Sequence, residues 1–137
     1  MGHVHLNVSD LERSLAFYQG VLGFARVTRS GPGPRGAAFL SAGGYHHHIG
    51  LNTWRMQGAT PPPAGHTGLY HFAVRFASRA VQGATDHGVS HSVYLADPDG
   101  NGLELTADLP REEWPLNACG EPEMFAGKAL DLNALLS

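Results

Sequence analysis

One cysteine, Cys119, is present in 137 residues, so no disulfide can form within the chain. Charge is scarce: charged residues make up 15% and the net charge is −3, with no stretch that gathers Lys and Arg. The cationic footprint required by nucleic acid or an anionic membrane is therefore missing. No apolar run approaches the length of a signal h-region or a membrane span. These absences predict a cytoplasmic protein whose partner is a small molecule, with neither nucleic acid nor membrane involved. Disorder is excluded as well, because 42% of the residues are apolar. What the chain has in excess is histidine, nine against nine Lys plus Arg. Histidine is the commonest metal ligand and the usual acid-base residue near neutrality.

The pattern along the chain is that of one domain with two halves. His3-Val4-His5-Leu6-Asn7-Val8 alternates strictly, so His3, His5 and Asn7 face one side of a strand and Val4, Leu6 and Val8 the other. Ser9 with Glu12 forms a capping box, and Leu11, Leu15, Tyr18 and Leu22 recur at helical spacing until Gly23, which predicts a helix over 10–22. Strands are expected at 24–29, 37–41 and 47–53, separated by the Gly/Pro run 31–36 and by Gly43-Gly44. The first half reads βαβββ. Residues 57–68, with Pro61-Pro62-Pro63 inside, are a stiff irregular connection.

A second start follows at Leu69-Tyr70-His71-Phe72-Ala73-Val74, hinting at an internal repeat. Strands at 91–96 and 102–106 flank Asp97-Pro98-Asp99-Gly100-Asn101, a tight reversal that makes them a hairpin. The residues 77–85 are too few for a crossover helix. Past Asp108 the chain reads as a tail packed on the surface.

Three residues stand out chemically. His3, His71 and Glu104 lie on separate strands, each with its apolar neighbours on the opposite face, so all three can face one cavity. Two imidazoles and a carboxylate on one side of a divalent ion leave its other positions open, as in non-haem Fe(II) enzymes. Glu104, flanked by Leu103 and Leu105, is costly in a core unless paired, so it faces solvent or is held by a cation. A strand histidine can also be satisfied structurally, and His5 shares the face of His3.

The run from His3 through Leu11-Glu12-Arg13-Ser14-Leu15-Ala16-Phe17-Tyr18 to Gly23-Phe24 resembles the opening of vicinal oxygen chelate proteins, which include glyoxalase I, extradiol dioxygenases and antibiotic-resistance proteins. The His71 strand and the hairpin from Tyr94 to Glu104 resemble that superfamily's second-module signatures. The segments 39–54, 86–90, 110–115 and 130–132 are similar to bacterial proteins of the catechol 2,3-dioxygenase type. This resemblance implies an α+β fold of two βαβββ-type modules forming a half-open barrel around a metal site, the second module lacking its helix. Module one would be 1–56, the linker 57–68, module two 69–108 and the tail 109–137, all in a single domain.

The family's motif puts the metal ligands at His3, His71 and Glu104, with His5 able to replace His3. Fe(II) is the implied metal, with Mn, Zn or Ni as alternatives. Tyr94 matches the tyrosine that extradiol enzymes keep beside substrate, or it is a core aromatic. His87 is the acid-base candidate, or a turn histidine without a task. His5, His48 and Asn52 are expected to line the substrate pocket, although His46 to His48 also fit a solvated loop edge. Glyoxalase-like members take a fourth ligand from the fourth strand of module one, and no glutamate stands there. The implied function is an extradiol dioxygenase acting with O₂ on a catechol-like aromatic diol, working as a homodimer that covers the exposed face of module two. The alternatives are a glyoxalase-like lyase or isomerase and a non-catalytic resistance-type binding protein.

Overall fold

A computed structural model describes residues 2–76 and 85–129. The chain falls into two compact units, Met1–Gly68 with Ala96–Asn101, and Leu69–Leu95 with Gly102–Ser137.

In the first unit β1 (Val4–Asn7) leads into a helix, and β2 (Ala25–Ser30), β3 (Ala37–Ser41) and β4 (Ile49–Asn52) follow. The sheet order is β1-β4-β3-β2, with β1 parallel to β4 and the other pairs antiparallel. The alternation in the first strand translates directly into burial: Leu6 and Val8 are buried, while His3, His5 and Asn7 are exposed. Leu11, Leu15 and Tyr18 bury the matching face of the helix, and Leu40, Ile49 and Leu51 complete the core. The expected helix is present but not uniform. It is α-helical over α1 (Leu11–Leu15) and widens into a π-helical segment over Ala16–Val21, ending at Gly23 with φ 78°. Apolar positions spaced four, three and four apart do not distinguish the two helix types.

The capping box is corrected. Asp10 is the cap, its side chain accepting from the Arg13 N–H at 3.0 Å. Ser9 is instead bonded to Asp99, whose Oδ2 accepts the Ser9 N–H at 3.1 Å and whose Oδ1 pairs with Arg13 at 2.7 Å. Glu12 is drawn away to Arg29 at 2.8 Å. Both Ser and Asp cap well, and the Asp99 carboxylate takes Ser9 out of the competition.

The second unit repeats the plan. The strands β5 (Phe72–Arg75), β6 (Thr85–Asp86), β7 (Ser90–Ala96) and β8 (Gly102–Asp108) are joined by β9 (Lys128–Ala129) in the order β5-β8-β7-β6-β9. Here β5 runs parallel to β8 as β1 does to β4, and β6 pairs antiparallel with both β7 and β9. The first strand of each unit is thus hydrogen-bonded to its fourth, which gives the α+β fold of two related modules. Among the described residues the second module has no α-helix; residues 77–84, where the short crossover was expected, lie outside them. The apolar end 130–137 lies outside them too. The tail before it does more than pack on the surface, since β9 extends the sheet beside β6. Among the described residues no helix is long and apolar enough to cross a membrane.

The Asp97–Asn101 reversal is built around one carboxylate. Asp97 Oδ1 accepts the N–H groups of Asp99 and Asn101 at 2.9 and 2.8 Å, and Oδ2 accepts the Asn101 side-chain amide and the Tyr18 hydroxyl at 2.9 and 2.8 Å. Tyr18 is fully buried. Burial, followed by the charge of Asp97 and its hydrogen bond, raises the phenol pKa far above the ordinary tyrosine range. The unfolded chain releases that proton at about pH 10 while the folded chain keeps it, so this contribution is intact below about pH 10 and is lost as pH rises further, at up to about 1.4 kcal/mol per pH unit. Tyr18→Phe is expected to remove that alkaline slope and to cost about 1–3 kcal/mol at neutral pH through the lost bond to a charged acceptor. Urea unfolding at a series of pH values reads both effects, and a slope unchanged in the variant contradicts the assignment.

Candidate metal centre

Strand register brings the first two site residues together. Phe72 pairs with Leu103 and Ala73 with Glu104 in the parallel β5–β8 ladder. Paired residues share a face and side chains alternate along a strand, so His71, two before Ala73, lies on the face of Glu104. Close approach of the strands needs a glycine: a Cβ on Gly102 would run into the Tyr70 carbonyl and stand 3.1 Å from His71 Cβ. The result is a His71 Nε2 to Glu104 Oε2 distance of 3.1 Å, with the Glu104 side chain 13% exposed.

Glu104 is anchored from its other oxygen. The Ser92 hydroxyl, fully buried, donates to Oε1 at 2.6 Å and lies 3.0 Å from Thr106 Oγ1. Its single proton is committed to the carboxylate, so the Thr106 hydroxyl donates in the second bond. Beside this pair stands Tyr94, its ring centroid 5.4 Å from that of His71. Partial burial, and then the Glu104 charge, push the Tyr94 hydroxyl above the ordinary range. Tyr94 Oη is 2.8 Å from His87 Nε2, and His87 Nδ1 is 3.0 Å from the Phe125 carbonyl. A carbonyl only accepts, so Nδ1 carries the imidazole proton and Nε2 accepts from Tyr94. His71, Glu104, Tyr94 and His87 therefore form one connected group on the second unit.

The spacing of these two donors suits a shared divalent ion. Metal bonds of about 2.1 Å at right angles put neighbouring donors about 3.0 Å apart, close to the separation observed. One feature fits less well. A cation between the two atoms would leave the His71 proton on Nδ1, which is buried with no partner among the described residues, whereas ligating imidazoles ordinarily donate that N–H. Within either unit, among the described residues, no group of three His, Cys, Asp or Glu side chains is assembled to hold an ion.

In the first unit His3 and His5 share the exposed face of β1. The His3 ring lies 4.4 Å from His47, and His5 packs between Phe39 and Trp54 at 5.7 and 5.8 Å. His5 pairs with Gly50, where a Cβ would be 2.8 Å from its ring nitrogen. Burial, with the nearby His3, lowers the His5 pKa. The two ladders correspond: Val4 pairs with Ile49 as Phe72 pairs with Leu103. His3 is thus the repeat partner of His71, and Gly50 that of Glu104. The His5 ring occupies the space over Gly50 that a longer side chain would need.

Two expected pocket residues have other partners. Asn52 is 5% exposed and bonds the Leu6 carbonyl and the Trp54 N–H, which makes it a strand-end fastener. His48 precedes β4, and its Nδ1 accepts the Ala42 N–H at 3.3 Å and lies 3.2 Å from Ser41 Oγ. Ser92 and the Phe125 carbonyl were not anticipated. Ser92 was legible, because it sits two residues before Tyr94 on one strand face. A backbone carbonyl in the tail leaves no sequence signal.

Residues 1–105 match the family model of the Glyoxalase/Bleomycin resistance protein/Dioxygenase superfamily. The chain is 39% identical over 105 residues to a catechol-2,3-dioxygenase of Bacillus subtilis, an alignment covering 77% of this chain and 36% of that protein. It therefore spans about a third of the length of that relative. Among solved structures it resembles a glyoxalase/dioxygenase from Nostoc punctiforme, with TM-score 0.57 and 24% identity over 80% of this chain and 90% of that one. It also resembles a mutant fosfomycin resistance protein, FosX, from Listeria monocytogenes complexed with Mn(II) and 1S,2S-dihydroxypropylphosphonic acid, with TM-score 0.58 and 20% identity over 82% and 94%. At these identities the two structures establish the shared fold.

The anchoring of Glu104 has a measurable cost. Ser92→Ala leaves Oε1 without its donor in a mostly buried setting and is expected to lower stability by about 1–3 kcal/mol, whereas Tyr94→Phe, at a half-exposed position, should cost less than about 1 kcal/mol. Urea unfolding of both variants without metal compares them directly; equal losses would show that the Ser92 bond contributes nothing special.

Proposed function

Because the chain belongs to the Glyoxalase/Bleomycin resistance protein/Dioxygenase superfamily, we propose that it is an Fe(II)-dependent extradiol dioxygenase acting on a catechol-like aromatic diol. The observation that carries this reading is the His71–Glu104 pair at 3.1 Å with the Tyr94–His87 pair beside it. The identity to the Bacillus subtilis catechol-2,3-dioxygenase supports it. A glyoxalase-like lyase would call for a carboxylate on β4, which reads Ile49-Gly50-Leu51-Asn52.

His71 and Glu104 are the proposed ligands from the second unit. On the first unit, the family's motif and its place as repeat partner of His71 make His3 a proposed ligand, and His5, packed against Gly50, is a proposed pocket residue. Bound there, the metal supplies Lewis acidity toward adjacent oxygens of a diol and electron exchange with O₂. Glu104 contributes the one anionic donor, held in place by Ser92. Tyr94 stands next to the His71 ring, where it can hydrogen-bond an oxygen of the substrate. His87, through Tyr94, provides an imidazole nitrogen that can take up a substrate proton.

Two substitutions separate these roles. Glu104→Gln keeps the shape and removes the charge, so metal affinity should fall by roughly 10–100-fold or more, since even outer-shell partners are worth that much. Tyr94→Phe should keep the metal and lower kcat by about 100-fold, the lower range for a positioned proton-handling group. The assay is formation of the yellow ring-cleavage product from catechol or substituted catechols with Fe(II) and O₂, alongside metal content. An iron-loaded, folded wild type that cleaves no catechol in a broad panel but isomerises a glutathione hemithioacetal would replace this reading with the lyase.

A further inference from the structure

His87 is gripped by the tail. The Phe125 N–H donates to the His87 carbonyl at 3.0 Å while His87 Nδ1–H donates back to the Phe125 carbonyl at 3.0 Å, a reciprocal pair that ties one residue to the other. The tail is held in register on both sides of this pair. Upstream, the Glu123 N–H donates to the Pro115 carbonyl at 2.8 Å; downstream, Lys128 pairs with Asp86 in the β6–β9 ladder and sets its ammonium 4.0 Å over the Phe125 ring. Gly88, next to His87, is the contact point. Its φ is 82°, and a Cβ there would lie 2.9 Å from the Glu123 carbonyl oxygen, 2.9 Å from the Phe125 ring and 3.0 Å from Pro115. Tail and turn can meet only because no side chain intervenes.

We infer that the tail segment 122–125 locks the tautomer of His87 and thereby sets the direction of the Tyr94 hydrogen bond, so that Tyr94 meets a ligand as an acceptor. With Nδ1 protonated, Nε2 offers a lone pair and takes the Tyr94 hydroxyl proton. Tyr94 Oη then keeps lone pairs that suit a ligand that donates, such as an aromatic hydroxyl. When such a hydroxyl gives its proton to Tyr94, the Tyr94 O–H bond breaks as a new one forms, and the displaced proton bonds to Nε2. The result is a ligand oxyanion and a His87 imidazolium whose Nδ1–H still rests on the Phe125 carbonyl. Segment 122–125 is in this sense a positioning element, acting through His87. The relay step rests on the proposed role of Tyr94, whereas the tautomer lock does not.

The lock is tested on the full chain labelled with ¹⁵N-histidine, by long-range ¹H–¹⁵N spectra at mildly alkaline pH. Wild type should show His87 as the Nδ1–H tautomer. Tyr94→Phe should leave that tautomer in place, because the tail and not Tyr94 imposes it. Gly88→Ala should displace the tail and bring in the Nε2–H form; if that variant does not fold, Phe125→Ala, which removes the packing against Gly88, should do the same. Val21→Ala, at a residue of the first unit that is 69% exposed, should change nothing. An Nε2–H wild type, a tautomer that switches in Tyr94→Phe, or one unmoved by both Gly88→Ala and Phe125→Ala overturns the inference. Absence of catechol cleavage would count against the proposed function and leave the tautomer result standing.

Discussion

A carboxylate set between two leucines on a strand cannot be left alone in a mostly buried position, and the arrangement of the second unit follows from how Glu104 is satisfied. Desolvating an unpaired carboxylate costs several kcal/mol. Two partners meet that cost, the Ser92 hydroxyl on one oxygen and the His71 imidazole on the other. Each partner depends in turn on the strands: Ser92 on β7 beside β8, and His71 at the start of β5 in parallel register with β8. The proton that joins His71 to Glu104 is also what a cation would displace, so the pairing that stabilises the metal-free chain is the one a metal would use.

The two units solve the same packing problem with different residues. In each, the first strand runs parallel to the fourth and a histidine precedes the ladder, His3 in one and His71 in the other. At the corresponding place on the fourth strand the first unit has Gly50 and the second has Glu104. Where the carboxylate is missing, the ring of His5 covers the glycine, and it is held there by Phe39 and Trp54. This divergence explains how His3 and His5, two residues apart on one strand face, come to have different surroundings.

Much of this architecture was legible because strand alternation and turn chemistry are local. Val4 to Val8, Phe72 to Val74 and the Asp97–Asn101 reversal carried their own signals, and so did the unpaired appearance of Glu104 between Leu103 and Leu105. Other features depend on contacts distant in sequence. Asp99, ninety positions on, takes Ser9 from the helix cap and leaves Asp10 to serve. Asn52, expected in the pocket from its strand face, also bonds across to the Leu6 carbonyl. The two-residue strand β9 is too short to show a period, and the Phe125 carbonyl has no side-chain identity to read. The pairing of Tyr94 with His87 lay between these extremes: both residues were singled out, but only the folded chain shows which nitrogen faces which group.

The role proposed for His71 and Glu104 is to hold a divalent cation. Pulsed electron paramagnetic resonance of the Mn(II)-loaded chain tests it most directly, because imidazole nitrogens bound to the ion modulate the echo. Imidazole modulation is expected in the wild type and is expected to weaken in His71→Ala at the same metal loading. A wild-type spectrum without imidazole modulation, or one that His71→Ala leaves unchanged, would contradict it.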